Sequence, residues 1–92
     1  MKLQFDAIKR LQTLDARGLD MNRASEILEG STITFLDERR QYGEERLITF
    51  GYLDSRMVVL VWTKRDESCR IISLRKANGR EQALYGPRLG RS

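Results

Sequence analysis

The sequence predicts an α+β fold: two N-terminal helices packed on a four-stranded antiparallel meander sheet, followed by a short C-terminal helix. Three observations predict it. Up to Gly30, apolar residues recur at helical spacing. After Gly30, the apolar segments are rich in β-branched and aromatic residues. These segments are separated by short polar stretches, and consecutive strands joined by short turns pair as an antiparallel meander.

Two helices are predicted within residues 1–30. The first begins after Asp6, a good N-cap, and ends at Gly18, a good C-terminal stop. Asp20 can cap the second helix, which ends at Gly30. The apolar stripes expected to face the core are Ala7, Ile8, Leu11 and Leu14 in the first helix, and Met21, Ala24, Ile27 and Leu28 in the second.

Four strands are predicted within residues 31–76, and one more helix follows them. The strands cover residues 32–36, 46–53, 57–63 and 70–75, with a polar loop after the first. The third is apolar on both faces, which is typical of a central strand. A helix is expected over 78–86, because Asn78 and Glu81 have the spacing of a capping box. Residues 87–92 are expected to be a frayed tail, and 1–92 to form a single domain.

The composition excludes several classes of protein. No apolar run is long enough to span a membrane, and the N-terminus lacks the apolar stretch of a signal peptide. With no histidine and one cysteine, Cys69, the chain has neither a zinc-ligand set nor an internal disulfide. We therefore expect a cytoplasmic protein that uses no cofactor and has no partner in the membrane.

The positive charge is concentrated in the second half of the chain. Residues 1–45 carry 7 Lys and Arg and 9 Asp and Glu, a net charge of −2, whereas residues 46–92 carry 10 and 4, a net charge of +6. This asymmetry favours a polyanionic partner, such as a nucleic acid. The alternative is a basic surface that only keeps the protein soluble.

Strand alternation predicts two basic clusters, one at each end of the sheet. Arg46, Arg65 and Arg70 belong to one end, whereas Arg75 and Lys76 close the last strand at the other end. A strongly twisted sheet could bring Arg75 and Arg46 onto one concave face. The alternative for Arg75 and Lys76 is structural, because cations at the end of a strand protect it from edge pairing.

Three segments carry a resemblance to a known family. EERLITFGYLDSR, VVLVWTKRD and RIISLRKA, followed by ALY, resemble the BrnT family of small ribonuclease toxins from bacterial toxin–antitoxin pairs. The resemblance implies a RelE-like fold and metal-independent RNA cleavage. It also implies neutralisation by a BrnA-like antitoxin, which makes most contacts to operator DNA, and assembly as a dimer or as a heterotetramer with the antitoxin.

The resemblance also implies site residues. Those matching the family's charged positions, and therefore predicted to be catalytic, are Glu45, Arg46, Arg65, Arg75 and Lys76. Beyond these matched positions, we predict that Arg17, Arg70, Arg80 and Tyr85 bind RNA. The chain departs from the family at one point. Family members commonly carry Lys-His-Gly at the end of the first helix, where this chain has Ala16-Arg17-Gly18.

Metal-independent RNA cleavage needs a proton acceptor, a proton donor and cations that stabilise the phosphoryl oxygens. Arginine suits the last role, because its planar guanidinium pairs with two oxygens at once. Glu45 is the candidate base and Lys76 the candidate acid. For Glu45 the alternative is an ordinary ion pair, and for Arg17 it is a cation that complements a helix C-terminus.

Two further functions stay open from the sequence. One is a catalytically weak or inactive binding module that acts with its antitoxin as a DNA-bound autorepressor. The other is a nucleic-acid-binding domain without an antitoxin.

Two residues outside the predicted site have a structural explanation. The apolar setting of Trp62 favours a core position over base stacking. Cys69 has no histidine partner and is more simply explained as incidental than as a nucleophile.

Overall fold

The computed structural model describes residues 2–38 and 43–90. The strands are β1 (Lys2–Gln4), β2 (Ile33–Leu36), β3 (Leu47–Leu53), β4 (Arg56–Arg65) and β5 (Ser68–Lys76). The α-helices are α1 (Ala7–Arg17), α2 (Ala24–Glu29) and α3 (Gly79–Tyr85), and short 3₁₀ helices cover Met21–Arg23 and Pro87–Leu89. The predicted polar loop over 37–45 lies partly outside the described residues.

The sheet is mixed and five-stranded, in the order β1-β5-β4-β3-β2. The predicted antiparallel meander of four strands is confirmed in β2 to β5. The prediction of a purely antiparallel sheet was wrong, because β1 adds to the edge of β5 in parallel. Three residues are too few to show an alternating pattern, and β1 forms only by pairing with Ser68–Arg70 far along the chain.

Each face of the sheet has its own apolar core. The first face is covered by α2 and the 3₁₀ turn before it, and its buried residues include Met21, Ala24, Ile27, Leu60 and Leu74. The second face is covered in part by α3 and the C-terminal 3₁₀ helix. Its buried residues are Phe50, Met57, Val59, Ala77 and Leu89. Leu89 is only 5% exposed, so residues 87–89 pack on the sheet where the sequence predicted a frayed tail.

Helix α1 begins and ends as predicted, but its apolar side faces solvent and not the core. Asp6 accepts hydrogen bonds from the first-turn amides, and Gly18 adopts the left-handed conformation at the C-terminus. The predicted core stripe, however, is exposed: Ala7 lies at the surface, and Ile8 is 68%, Leu11 61% and Leu14 40% exposed. That prediction was wrong. The helix lies against β5, where Arg17 donates to the backbone carbonyl of Leu74, so its polar side faces inward.

Tight turns fix the ends of the central strands. Asp54 and Ser55 both have positive φ angles and join β3 to β4 as a two-residue hairpin turn. The guanidinium of Arg23 binds both Glu26 and Asp54, which ties α2 to this turn. Within the described parts of the chain, no helix is long and apolar enough to cross a membrane.

Candidate functional site

A β-bulge in β5 places two arginines on the same face of the sheet. Arg70 and Arg75 are five residues apart, so strict alternation would send them to opposite faces. The register slips by one residue between them, leaving Ile72 as the extra residue. The pairs on either side of the slip are Val61–Ser73 and Trp62–Ile71. With the bulge, Arg70 and Arg75 both lie on the second face, opposite Thr63 and Val59 respectively.

The bulge follows from the apolar residues of the strand. Ile71 and Leu74 both belong to the core of the first face, although they are three positions apart. A regular strand could bury only one of them there, because its side chains alternate with a period of two. Burying both therefore requires an extra residue, and Arg70 moves to the second face as a consequence.

Four cationic side chains line one cavity at the end of the sheet where β3 starts and β4 ends. This cavity, of about 260 Å³, is termed the basic pocket. Its cations are Lys9, Arg46, Arg65 and Arg70, and its other lining residues are Asp6, Glu44, Thr63, Ile71 and Ile72. The structure therefore brings together the three arginines that strand alternation assigned to this end, and adds Lys9 from α1.

The two carboxylates of the basic pocket already have hydrogen-bond partners. Glu44 accepts from the Arg65 guanidinium at 3.2 Å. The carboxylate of Asp6 accepts from the backbone amides of Ile8 and Lys9, at 2.9 and 3.1 Å. Within residues 2–38 and 43–90, no three His, Cys, Asp or Glu side chains form a group that could hold a metal ion.

Glu45, the predicted base, does not line the basic pocket. Glu45 lines a neighbouring cavity, which it shares with Glu44, Leu47, Thr63 and Lys64, and its backbone carbonyl accepts from the Thr63 hydroxyl. Glu44 is the glutamate that shares a cavity with Arg46. Neither Glu44 nor Lys9 was predicted from the sequence. The adjacent Glu44-Glu45 pair was a signal for Glu44, whereas no local pattern distinguishes Lys9 from other surface lysines.

Arg75 is held in a bidentate ion pair beyond the basic pocket. Its two terminal nitrogens bind the two carboxylate oxygens of Glu81, each at 2.9 Å. Glu81 also completes the capping box of α3 with Asn78. The guanidinium of Arg75 lowers the pKa of Glu81 to about 2, with the Asn78 amide acting in the same direction.

Lys76 lies at the opposite end of the sheet from the basic pocket. It lines a cavity of about 580 Å³ together with Arg56, Tyr52 and Gln82. We call Arg56 and Lys76 the distal cluster. Because Arg70 and Lys76 are six residues apart on β5, the two basic regions are separated by about 20 Å. The structure therefore places the predicted acid, Lys76, far from Arg46.

The remaining predicted RNA-binding residues lie in three different settings. Arg17 binds the Leu74 carbonyl at 2.8 Å, and Arg80 is exposed in the first turn of α3. Tyr85 is half-buried, with its ring 4.2 Å from that of Phe50 between centroids. Trp62 packs against the core of the first face and donates to the Thr49 hydroxyl, in the structural position favoured by its apolar setting.

Comparison with known families identifies the chain. A family model described as the ribonuclease toxin, BrnT, of type II toxin–antitoxin systems matches residues 5–81. No curated protein sequence matches the chain. The matched range runs from the residue before the α1 cap to Glu81, and so includes all the residues that line the basic pocket. The chain belongs to the BrnT family of ribonuclease toxins of type II toxin–antitoxin systems.

Proposed function

We propose that the protein is a metal-independent endoribonuclease that cleaves RNA at the basic pocket and is neutralised by a BrnA-like antitoxin. The observation that carries this proposal is the convergence of Lys9, Arg46, Arg65 and Arg70 on one cavity beside the carboxylate of Glu44. A cavity with more cations than carboxylates favours an anionic group such as an RNA phosphate.

The three arginines would bind the scissile phosphate. Arg46 reaches the pocket from the start of β3, Arg65 from the end of β4 and Arg70 from β5. Guanidinium groups donate paired hydrogen bonds to phosphoryl oxygens, and several such groups stabilise the extra negative charge of the pentavalent transition state. Since they come from three paired strands, their relative positions are fixed before the substrate binds.

The same pocket offers groups for both proton transfers. In the proposed step, Glu44 accepts the proton of the 2′-hydroxyl as the 2′-oxygen forms its bond to phosphorus. The bond from phosphorus to the 5′-oxygen breaks, and the Lys9 ammonium donates a proton to that oxygen. A 2′,3′-cyclic phosphate and a free 5′-hydroxyl result. We assign Glu44 and Lys9 to the roles predicted for Glu45 and Lys76, because the latter two line other cavities.

Metal independence is supported by the chemistry of the pocket. The nucleophile is the substrate's own hydroxyl, and the arginines supply the charge that a metal ion would otherwise bring. The carboxylates of Glu44 and Asp6 accept hydrogen bonds from Arg65 and from backbone amides, respectively. In this arrangement they support protein contacts rather than an oxygen cage for a cation.

Arg75 and Lys76 are proposed to contact the RNA backbone away from the scissile bond. Arg75 lies on the same face as Arg70, and its pairing with Glu81 orients the guanidinium. Lys76 and Arg56 line a cavity at the far end of the sheet and would supply further cations to the backbone of a longer RNA. We assign Arg80, exposed in the first turn of α3, to the same role.

The test compares two adjacent glutamates. Purified wild type, Glu44→Gln and Glu45→Gln would be incubated with mixed RNA in excess EDTA. We expect wild-type cleavage in EDTA, a loss of about 10²-fold or more in Glu44→Gln because a general base is removed, and a near-wild-type rate in Glu45→Gln. Circular dichroism would check that all three chains are folded.

Each contrary result has a definite meaning. Cleavage that stops in EDTA would refute metal independence, and a loss confined to Glu45→Gln would transfer the role of base to Glu45. Intact RNA with a folded wild-type chain would instead support a catalytically inactive module that acts with its antitoxin as a DNA-bound autorepressor. One observation motivates that alternative: Arg17, at the family's histidine position, binds the Leu74 carbonyl.

A further inference from the structure

One row of side chains crosses the second face of the sheet without being fully buried. Cross-strand pairing aligns Phe35 with Ile48, Ile48 with Val61, and Val61 with Ser73. The row takes one residue from each of β2 to β5, and we call these four residues the open row. Phe35 is 37% exposed, and the other three are half-buried. The open row is therefore an accessible, mainly apolar strip with one hydroxyl at its β5 end.

The covered part of the second face ends at the open row. The next row contains Phe50 and Val59, which are both buried. Tyr85, the last residue of α3, packs its ring 4.2 Å from that of Phe50 and 5.6 Å from that of Phe35, between centroids. The open row thus lies along the border of the surface that the C-terminal helices cover.

On its other side, the open row adjoins the basic pocket. Val61 and Thr63 are two residues apart on β4, and Thr63 lines the pocket. Residues at this spacing point to the same face of a strand and lie about 7 Å apart. That distance is comparable to the reach from a phosphate to the base of the same nucleotide. A phosphate in the pocket and a base on the open row can therefore belong to one nucleotide.

We propose that the open row binds a nucleobase next to the scissile phosphate and so positions the RNA for cleavage. The proposal rests on the proposed function, which puts that phosphate in the basic pocket. The base would lie over the methyl groups of Ile48 and Val61, with the ring of Phe35 at one side. At the other side, the Ser73 hydroxyl can donate or accept a hydrogen bond, so it suits the polar edges of different bases.

The charges around the open row favour a nucleotide chain as its occupant. Arg70 and Arg75 lie on the same face of β5, one on each side of Ser73. In RNA, a phosphate likewise stands on each side of a nucleoside. The row is also only one side chain wide, whereas a helix packed on a protein surface needs about 10 Å. A flat base therefore fits this strip better than an element of a protein partner does.

The experiment observes the methyl groups of Ile48 and Val61 by NMR during titration with RNA that cannot be cleaved. The ligands are a 2′-O-methyl dinucleotide of two adenosines and its two abasic analogues, each of which lacks one adenine but keeps the phosphate. A stacked base shifts the resonances of methyl groups beneath it upfield through its ring current. We expect such shifts with the dinucleotide. One analogue should lose them and bind about 10-fold more weakly.

The variant Phe35→Ala tests the open row in a second way. It should remove most of the affinity difference between the dinucleotide and that analogue while leaving the affinity for the analogue unchanged, since only a base contact is lost. Leu36→Ala is the matched control, because Leu36 is 45% exposed on the same strand and points to the opposite face. Comparing two ligands on each variant separates base binding from stability, because a loss of folded protein weakens both ligands equally.

Three results would overturn the proposal. The first is a dinucleotide that binds no better than either analogue, and the second is an absence of shifts at Ile48 and Val61. The third is an affinity difference that Phe35→Ala leaves intact. None of these measurements needs cleavage, so the base site stands if the expected shifts occur but RNA is not cut. If Arg70→Ala binds the analogues as tightly as wild type does, the phosphate lies outside the basic pocket, and the proposed function fails together with this inference.

Discussion

The ion pair between Arg75 and Glu81 shows what a single contact adds to this fold. The guanidinium lowers the pKa of Glu81 from 4.5 to about 2. Since the folded pKa lies below the unfolded one, the pair stabilises the folded state fully above about pH 5. That stabilisation is lost as the pH falls from there toward 2, because the unfolded chain then binds a proton more readily than the folded chain does.

Replacing Glu81 should therefore change how stability depends on pH. We expect Glu81→Gln to lower the free energy of unfolding at pH 7 by about 1–2 kcal/mol, a discounted value because the Arg75 side chain is 43% exposed. Below pH 5, the gap between the variant and wild type should narrow. Urea unfolding at a series of pH values measures both effects, and Arg75→Met provides a second way to remove the pair. If wild type and Glu81→Gln have the same free energy of unfolding at every pH, the pair contributes nothing to stability.

The two N-terminal helices show which features of an element can be predicted from its sequence. Their ends were predictable because caps are local: Asp6, Asp20 and Gly18 act where the sequence placed them. The packing of α2 was also predictable, since Ile27 is fully buried. The orientation of α1 was not. It depends on polar contacts with residues outside α1, such as the hydrogen bond from Arg17 to the Leu74 carbonyl of β5. The periodicity of α1 contains no information about those contacts.

Close contact between α2 and β3 leads to a prediction for one glycine. A Cβ atom added at Gly51 would lie 2.9 Å from a side-chain methyl of Ile27 and 3.2 Å from that of Thr32. Gly51→Ala should therefore push α2 away from the sheet and lower the free energy of unfolding by about 1–3 kcal/mol. Gly79→Ala is the matched control, because nothing lies within 4 Å of its added atom. Urea unfolding measures the stability of both variants. If Gly51→Ala is as stable as Gly79→Ala, α2 accommodates the added methyl group without loss of stability.

At the scale of the whole molecule, the sheet determines which cations meet. The grouping of Arg46, Arg65 and Arg70 followed from strand order and could be predicted. The positions of Glu44 and Lys9 could not, because they depend on side-chain direction and on where α1 lies. The shared face of Arg70 and Arg75 was equally hidden, since it depends on the bulge at Ile72. The RelE-like classification stays a prediction.

The separation between the basic pocket and the distal cluster predicts how RNA binding depends on salt and on length. Each phosphate contact to single-stranded RNA adds about 0.7 to the slope of log affinity against log salt. For a 2′-O-methyl RNA of about 16 nucleotides, long enough to reach both regions, Arg70→Ala and Lys76→Ala should each reduce the slope by about 0.7. A dinucleotide has one phosphate, so only Arg70→Ala should weaken its binding.

Fluorescence anisotropy over a range of salt concentrations gives these slopes without cleavage, because the 2′-O-methyl group removes the nucleophile. Arg88→Ala is a suitable control, since Arg88 is exposed in the C-terminal 3₁₀ helix and lines neither cavity. If Lys76→Ala leaves the slope for the long RNA unchanged, RNA does not extend across the sheet, and binding is confined to the basic pocket. If Lys76→Ala also weakens the dinucleotide, the scissile phosphate lies near Lys76, and the role of acid returns to Lys76, for which the sequence predicted it.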